Sequence, residues 1–224
     1  MSTNFGLKNG ILIRIMTLED NDNVKNFVRE HFYNAEPLCV ATGVNSRTPF
    51  GNSFNEHRIR MIEDGTCLVA LDNNNADRIV GVVLAKKLVE NELEEGRLRA
   101  EEMDDGPLKR MVTFLTDVEL RGNVFKHYGV SEILYSQVTN VDTAMRGKGL
   151  GTRLAAALME VGRSKGYTLL SATCSSFYSA RQKLAMGMEC FYSEAYADYK
   201  DANGKVVIQP PAPHTHVQML AIKL

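Results

Sequence analysis

The chain has 224 residues, 44% of them apolar and 24% charged, an average globular composition long enough to bury a core without covalent or metal staples. Lysine and arginine total 26 against 27 acids, and the formal net charge of −1 argues against a general nucleic-acid binder, which carries a basic excess. No apolar run approaches the roughly 18 residues of a membrane helix, and Met1-Ser2-Thr3-Asn4-Phe5-Gly6 lacks the basic and apolar regions of a signal peptide.

Ile11–Met16 is expected as a strand, followed by Thr17-Leu18-Glu19-Asp20, a capping signature that opens a helix. Val24, Phe27, Val28 and Phe32 form its apolar stripe, and the helix should stop before Pro37. Cys67–Leu71 and Ile79–Lys86 read as strands joined by the turn-rich Asp72-Asn73-Asn74-Asn75. Residues 90–105 hold eight acids against Arg97 and Arg99, the pattern of a solvated loop or an exposed helix edge. Leu108–Tyr128 follows as one helix, with Met111, Phe114, Leu115 and Val118 on a common side.

The second half alternates more regularly. Ser131–Val141 is a strand, and Leu150–Lys165 is a helix ended by Gly166. Thr168–Cys174 is a strand, and Ser179–Met186 a helix. Strands around Glu189–Tyr199 and His216–Lys223 flank the loop at Pro210-Pro211-Ala212-Pro213. This order predicts one domain over residues 1–224, with an α/β (α+β) mixed sheet and a parallel pair in its middle.

Chemistry concentrates where a strand ends at Val141, a glycine-rich turn follows, and an alanine-rich helix begins at Leu150. Glycine lets the main chain approach a ligand closely, and the free amides of a first helical turn attract phosphate oxygens. Arg146 and Lys148 add cationic donors. The spacing fits neither the P-loop nor the dinucleotide fingerprint, because Gly147, Gly149 and Gly151 alternate, late in the chain.

At these residues the chain resembles the GCN5-related N-acetyltransferases. Their acyl-CoA signature, Arg/Gln-x-x-Gly-x-Gly/Ala, is matched by Arg146-Gly147-Lys148-Gly149-Leu150-Gly151 at each fixed position. Three further segments resemble the insect arylalkylamine N-acetyltransferases of the dopamine N-acetyltransferase type. They are Asn34-Ala35-Glu36-Pro37-Leu38, Ser175-Ser176-Phe177-Tyr178-Ser179-Ala180, and Pro210-Pro211-Ala212-Pro213-His214 before the last strand.

The resemblance implies a central sheet of about seven strands with splayed middle strands, and acetyl-CoA as co-substrate without a metal. It implies that backbone groups near Thr139, Asn140 and Val141 hold the pantetheine arm. The pyrophosphate would then sit on the segment Arg146, Gly147, Lys148, Gly149, Leu150, Gly151 and Thr152. Glu36 becomes the general base toward a small-molecule amine, and Ser175 and Ser179 the pair that assists departure of the thiolate. A superfamily tyrosine four residues before the late glycine is absent, since that position is Lys183.

The implied reaction is acetylation of an arylalkylamine or other biogenic amine by direct attack in a ternary complex. A polyamine or agmatine acceptor, and a non-catalytic acyl-CoA-binding module, are the alternatives. The residues carry plainer readings as well. Glu36 suits a helix-end charge that is solvated or binds a cationic substrate, and the serines suit helix caps. Spaced one helical turn apart, Ser175 and Ser179 are expected to face the same side. His31 and His127 fit packed or surface positions, His214 and His216 alternate along an extended acceptor-side segment, and Cys174 is a small buried strand residue. Cys39, Cys67, Cys174 and Cys190 lie far apart, with neither zinc nor disulfide spacing, so a reduced, cytoplasmic protein without membrane or nucleic-acid partners is expected.

Overall fold

The computed structural model describes residues 4–224. Its strands are β1 (Asn4–Lys8), β2 (Ile11–Ile15), β3 (Leu68–Asp72), β4 (Arg78–Val89), β5 (Glu132–Val141), β6 (Leu169–Cys174), β7 (Glu189–Ala195) and β8 (His216–Lys223). They form one sheet in the order β1-β2-β3-β4-β5-β6-β8-β7, antiparallel except for β5 with β6. Eight strands stand where about seven were expected. The addition is β1, a mostly exposed strand without apolar alternation, joined to β2 by Asn9-Gly10, both at positive φ as a tight hairpin turn needs.

The helices are α1 (Asn21–His31), α2 (Pro37–Thr42), α3 (Asn52–Glu63), α4 (Asn91–Glu102), α5 (Pro107–Gly122), α6 (Val124–Tyr128), α7 (Leu150–Ser164) and α8 (Phe177–Ala185). None among the described residues is long and apolar enough to cross a membrane. The acid-rich segment is α4, an exposed helix anchored by buried Leu93 and Ala100 and laced by Arg97 to Glu94 and Glu101. The single helix expected over 108–128 is two, broken at Asn123, whose φ of 25° interrupts the ladder while its side chain caps α6 at Lys126 N.

Alternation along the strands divides the core. On one face, Leu150, Leu154 and Leu158 of α7 and Ala180 of α8 pack on Leu134, Leu170, Ala172 and Cys174. On the other, α1 and α3 cover Val69 and Val82, while Phe114 and Val118 of α5 pack with Leu38, Tyr196 and Val217.

The helix α7 carries the chain between the parallel strands, and those strands part early. They pair only at Leu134 with Leu170 and Tyr135 with Ser171. Beyond that point β5 continues to Val141 against β4 alone, and a register shift between Leu84 and Ala85 leaves Gln137 as an extra residue on β5. A gap therefore opens between the far ends of β5 and β6.

Candidate active site

The inner end of the gap is closed by a polar bridge. Glu119 of α5 accepts from the Tyr135 hydroxyl at 2.5 Å and from the Thr173 hydroxyl at 3.2 Å. Burial pushes the Glu119 carboxyl up from its ordinary range. No spacing in the sequence pointed to this bridge, because its members lie on three separate elements.

At the outer end of β5, Asp142 organises the glycine-rich turn. Its carboxylate accepts from Ala144 N at 2.9 Å and from Arg78 Nη1 at 2.7 Å. Burial opposes its charge, but the Ala144 amide and the Arg78 guanidinium outweigh burial and hold the carboxyl below its usual range. Arg146 Nε donates to the Val141 carbonyl at 3.2 Å, folding the turn back on the strand end.

Gly147 and Gly149 adopt φ of 74° and 75°, and a Cβ on either would meet no protein atom within 4 Å. A side chain there would fill open space in front of the free amides that begin α7. That is the shape an anionic group needs, so the turn fits a pyrophosphate. Gly151 differs: its φ is not positive, and a Cβ would meet Gln182 of α8 at 3.4 Å, so this glycine serves helix packing. Beside the turn, Lys8, Lys148 and Arg153 line a shallow depression, with Arg153 donating to the carbonyls of Lys8 and Ile11. Arg153 belongs to the first turn of α7, whereas Lys8 reaches the turn only through the β1–β2 hairpin, which no sequence spacing reveals.

Thr139, Asn140 and Val141 lie on the part of β5 that has lost its β6 neighbour. Asn140 is 5% exposed, and its Nδ2 is the one fully buried side-chain polar atom without a partner among the described residues. An orphaned donor at this position costs free energy.

Across the gap, Glu36 is the N-cap of α2, with Pro37 at the first helical position. Its Oε2 accepts from Cys39 N at 2.6 Å, and its Oε1 accepts from Ser175 Oγ at 2.5 Å. The cap fixes the carboxylate by one oxygen and leaves the other to the end of β6. Ser175 is held in turn by Tyr196, whose hydroxyl donates to the Ser175 carbonyl at 2.7 Å. Tyr196 is buried against Phe114, with ring centroids 5.5 Å apart, and burial together with the Glu36 charge pushes its hydroxyl far up. This support was not legible in the sequence.

The two serines, one helical turn apart in sequence, meet different partners. Ser175 precedes α8 and meets Glu36, whereas Ser179 lies within α8, donates to Cys174 Sγ at 3.4 Å and accepts from Lys183 Nζ at 3.2 Å. Neither is the cap, because Ser176 holds the N-cap position and makes no side-chain cap bond. His214 Nδ1 accepts from Phe177 N at 3.1 Å, and burial lowers its affinity for a proton against the pull of Glu36. His216 pairs instead with neighbouring Thr215. Among the described residues no three His, Cys, Asp or Glu side chains are grouped to hold a metal.

No family model matches the chain. Among solved structures, an agmatine N-acetyltransferase mutant in its apo form is 30% identical, covers 96% of this chain and 100% of its own, and superposes with a TM-score of 0.85. The Drosophila melanogaster polyamine N-acetyltransferase, which catalyses formation of N-acetylagmatine, is 31% identical over 96% and 100%, with a TM-score of 0.83. Arylalkylamine N-acetyltransferase 2 from Aedes aegypti is 24% identical over 96% and 99%, a likeness of fold at a TM-score of 0.87.

Proposed function

The chain belongs to the GCN5-related N-acetyltransferases, and from that premise we propose that it acetylates the primary amine of an arylalkylamine or another biogenic amine within one ternary complex with acetyl-CoA. The observation that carries this reading is the 2.5 Å contact of Ser175 Oγ with Glu36 Oε1, beside the gap where β5 and β6 part.

Acetyl-CoA supplies the activated acyl group when bound, on the amides from Gly147 to Thr152 and the cations Arg146 and Lys148. Glu36 Oε1 takes the proton that the acceptor ammonium must lose before its nitrogen can attack, directly or through a water. Ser175 keeps that oxygen oriented. A backbone amide of the Thr139–Val141 segment donates to the developing oxyanion, and Ser179 hands a proton to the departing sulfur.

A second reading differs only in the acceptor. The two relatives at 30% and 31% identity are an agmatine and a polyamine enzyme, which favours an amine carrying a second cation. Purified protein with acetyl-CoA and a panel of phenylethylamines, indoleamines, agmatine and polyamines separates the two, followed by release of free thiol. Turnover of the aromatic amines supports the first reading, and turnover confined to agmatine and polyamines supports the second. Tight acetyl-CoA binding without turnover of any amine would make the protein a non-catalytic acyl-CoA-binding module.

A further inference from the structure

Lys183 is 5% exposed, and among the described residues its ammonium makes no ion pair; its hydrogen bond is to Ser179 Oγ at 3.2 Å. Lysines are almost never this buried without a counter-charge, because an ammonium loses its hydration on burial and needs an anion in exchange. A bound anion beside Ser179 would supply that counter-charge.

Position narrows which anion it is. The phosphate turn is exposed and already carries its own amides, Arg146 and Lys148. Lys183 lies one turn along α8 from Ser179, whose hydroxyl touches Cys174 at the end of β6. Cys174 and Ala180 pack on the α7 side of the sheet, together with Leu150 and Leu154. Ser175, the next residue, turns to Glu36 on the opposite side. Two hydrogen-bonded pairs thus meet the end of β6, Glu36–Ser175 through Ser175 itself and Lys183–Ser179 through Cys174. The other titratable groups meeting them are Cys174, at Ser179, Tyr196, at the Ser175 carbonyl, and Cys39 and His214, which act on Glu36.

We propose that Lys183, acting through Ser179, is the counter-charge and proton source for the CoA sulfur as it leaves; this rests on the acetyltransferase reading of the gap. When the C–S bond breaks, the sulfur keeps the electron pair. Ser179 Oγ gives its proton to the sulfur and takes one from Lys183 Nζ, which solvent then restores. The proton lost by the amine leaves separately through Glu36.

The test is the ionisation of bound CoA, followed by thiolate ultraviolet absorbance with desulfo-CoA as the blank. The wild-type complex is expected to ionise at lower pH than free CoA, by about one pH unit or more. Lys183→Met should abolish that displacement and lower kcat by about tenfold or more with little change in KM for acetyl-CoA, and Lys183→Arg should restore the displacement. Ionisation of CoA in the wild-type complex like that of free CoA overturns the proposal, even where Lys183→Met does not fold. Displaced ionisation that survives in a folded Lys183→Met also overturns it. The titration needs no amine, so a displaced ionisation in a protein that acetylates nothing would count against the acetyltransferase reading alone. Failure of the wild type to bind CoA would overturn both.

Discussion

Ser175 Oγ lies 2.5 Å from Glu36 Oε1 although 139 residues separate them, so the start of α2 and the end of β6 share one hydrogen bond at the mouth of the gap. With Cys39 N on the other oxygen and Tyr196 behind Ser175, the carboxylate is held from both sides. Ser175→Ala removes the donor but keeps the cap. Its kcat should fall less than that of Glu36→Gln, with KM for acetyl-CoA near wild type. Unchanged steady-state constants for both substrates would make the contact structural only.

Ser179→Ala should act on the other side of the gap. It interrupts the path from Lys183 to the sulfur, so kcat should fall while KM for the amine stays near wild type. A rise in KM for acetyl-CoA at constant kcat would make Ser179 a binding residue instead.

Gly149→Val tests the phosphate turn. A β-branched residue at φ of 75° is strained by about 1–3 kcal/mol and fills the open space before the α7 amides. Calorimetry should show a large loss of acetyl-CoA affinity in a protein that still folds. Undiminished binding would contradict the cradle. Gly151→Ala, where the nearest contact is the flexible Gln182 amide, should bind almost as wild type.

Asp20 provides a pH-dependent test of the frame. It receives two bonds from Arg14, at 2.7 and 2.8 Å, and one from Thr17 N at 2.8 Å, tying β2 to the start of α1. Burial opposes its charge, but the Arg14 and Thr17 bonds outweigh burial and hold the carboxyl below its usual range. A folded value below the unfolded one stabilises above the usual carboxylate range and is lost as pH falls through the folded value. Asp20→Asn should therefore cost about 1–3 kcal/mol at pH 7 in denaturant unfolding. The difference from wild type should shrink in acid, and an equal difference at both pH values would contradict this assignment.

The sequence carried the parts of this molecule that local rules control. The α1 stripe at Val24, Phe27 and Val28, the Arg146–Gly151 turn and the strand–helix alternation after residue 131 each follow from periodicity or glycine spacing. Strand β1 is not legible there because a mostly exposed strand lacks an apolar period. Helices α2 and α3 leave little periodic signal, because the one is short and the other only weakly amphipathic. Glu36 and Ser175 were legible separately, through the resemblance. Their contact, the Tyr196 support and the Tyr135–Glu119–Thr173 bridge exist only once distant elements pack together.

The most direct test of the central claim is a pH profile of kcat and kcat/KM for wild type and Glu36→Gln with one good amine. Glutamine keeps the size of the side chain but cannot accept the amine proton. Acetyl-CoA affinity should be nearly unchanged, kcat should fall by about 10²–10⁴-fold, and the acidic limb of the kcat/KM profile should change. A folded Glu36→Gln protein with wild-type kcat across the pH range would contradict the account.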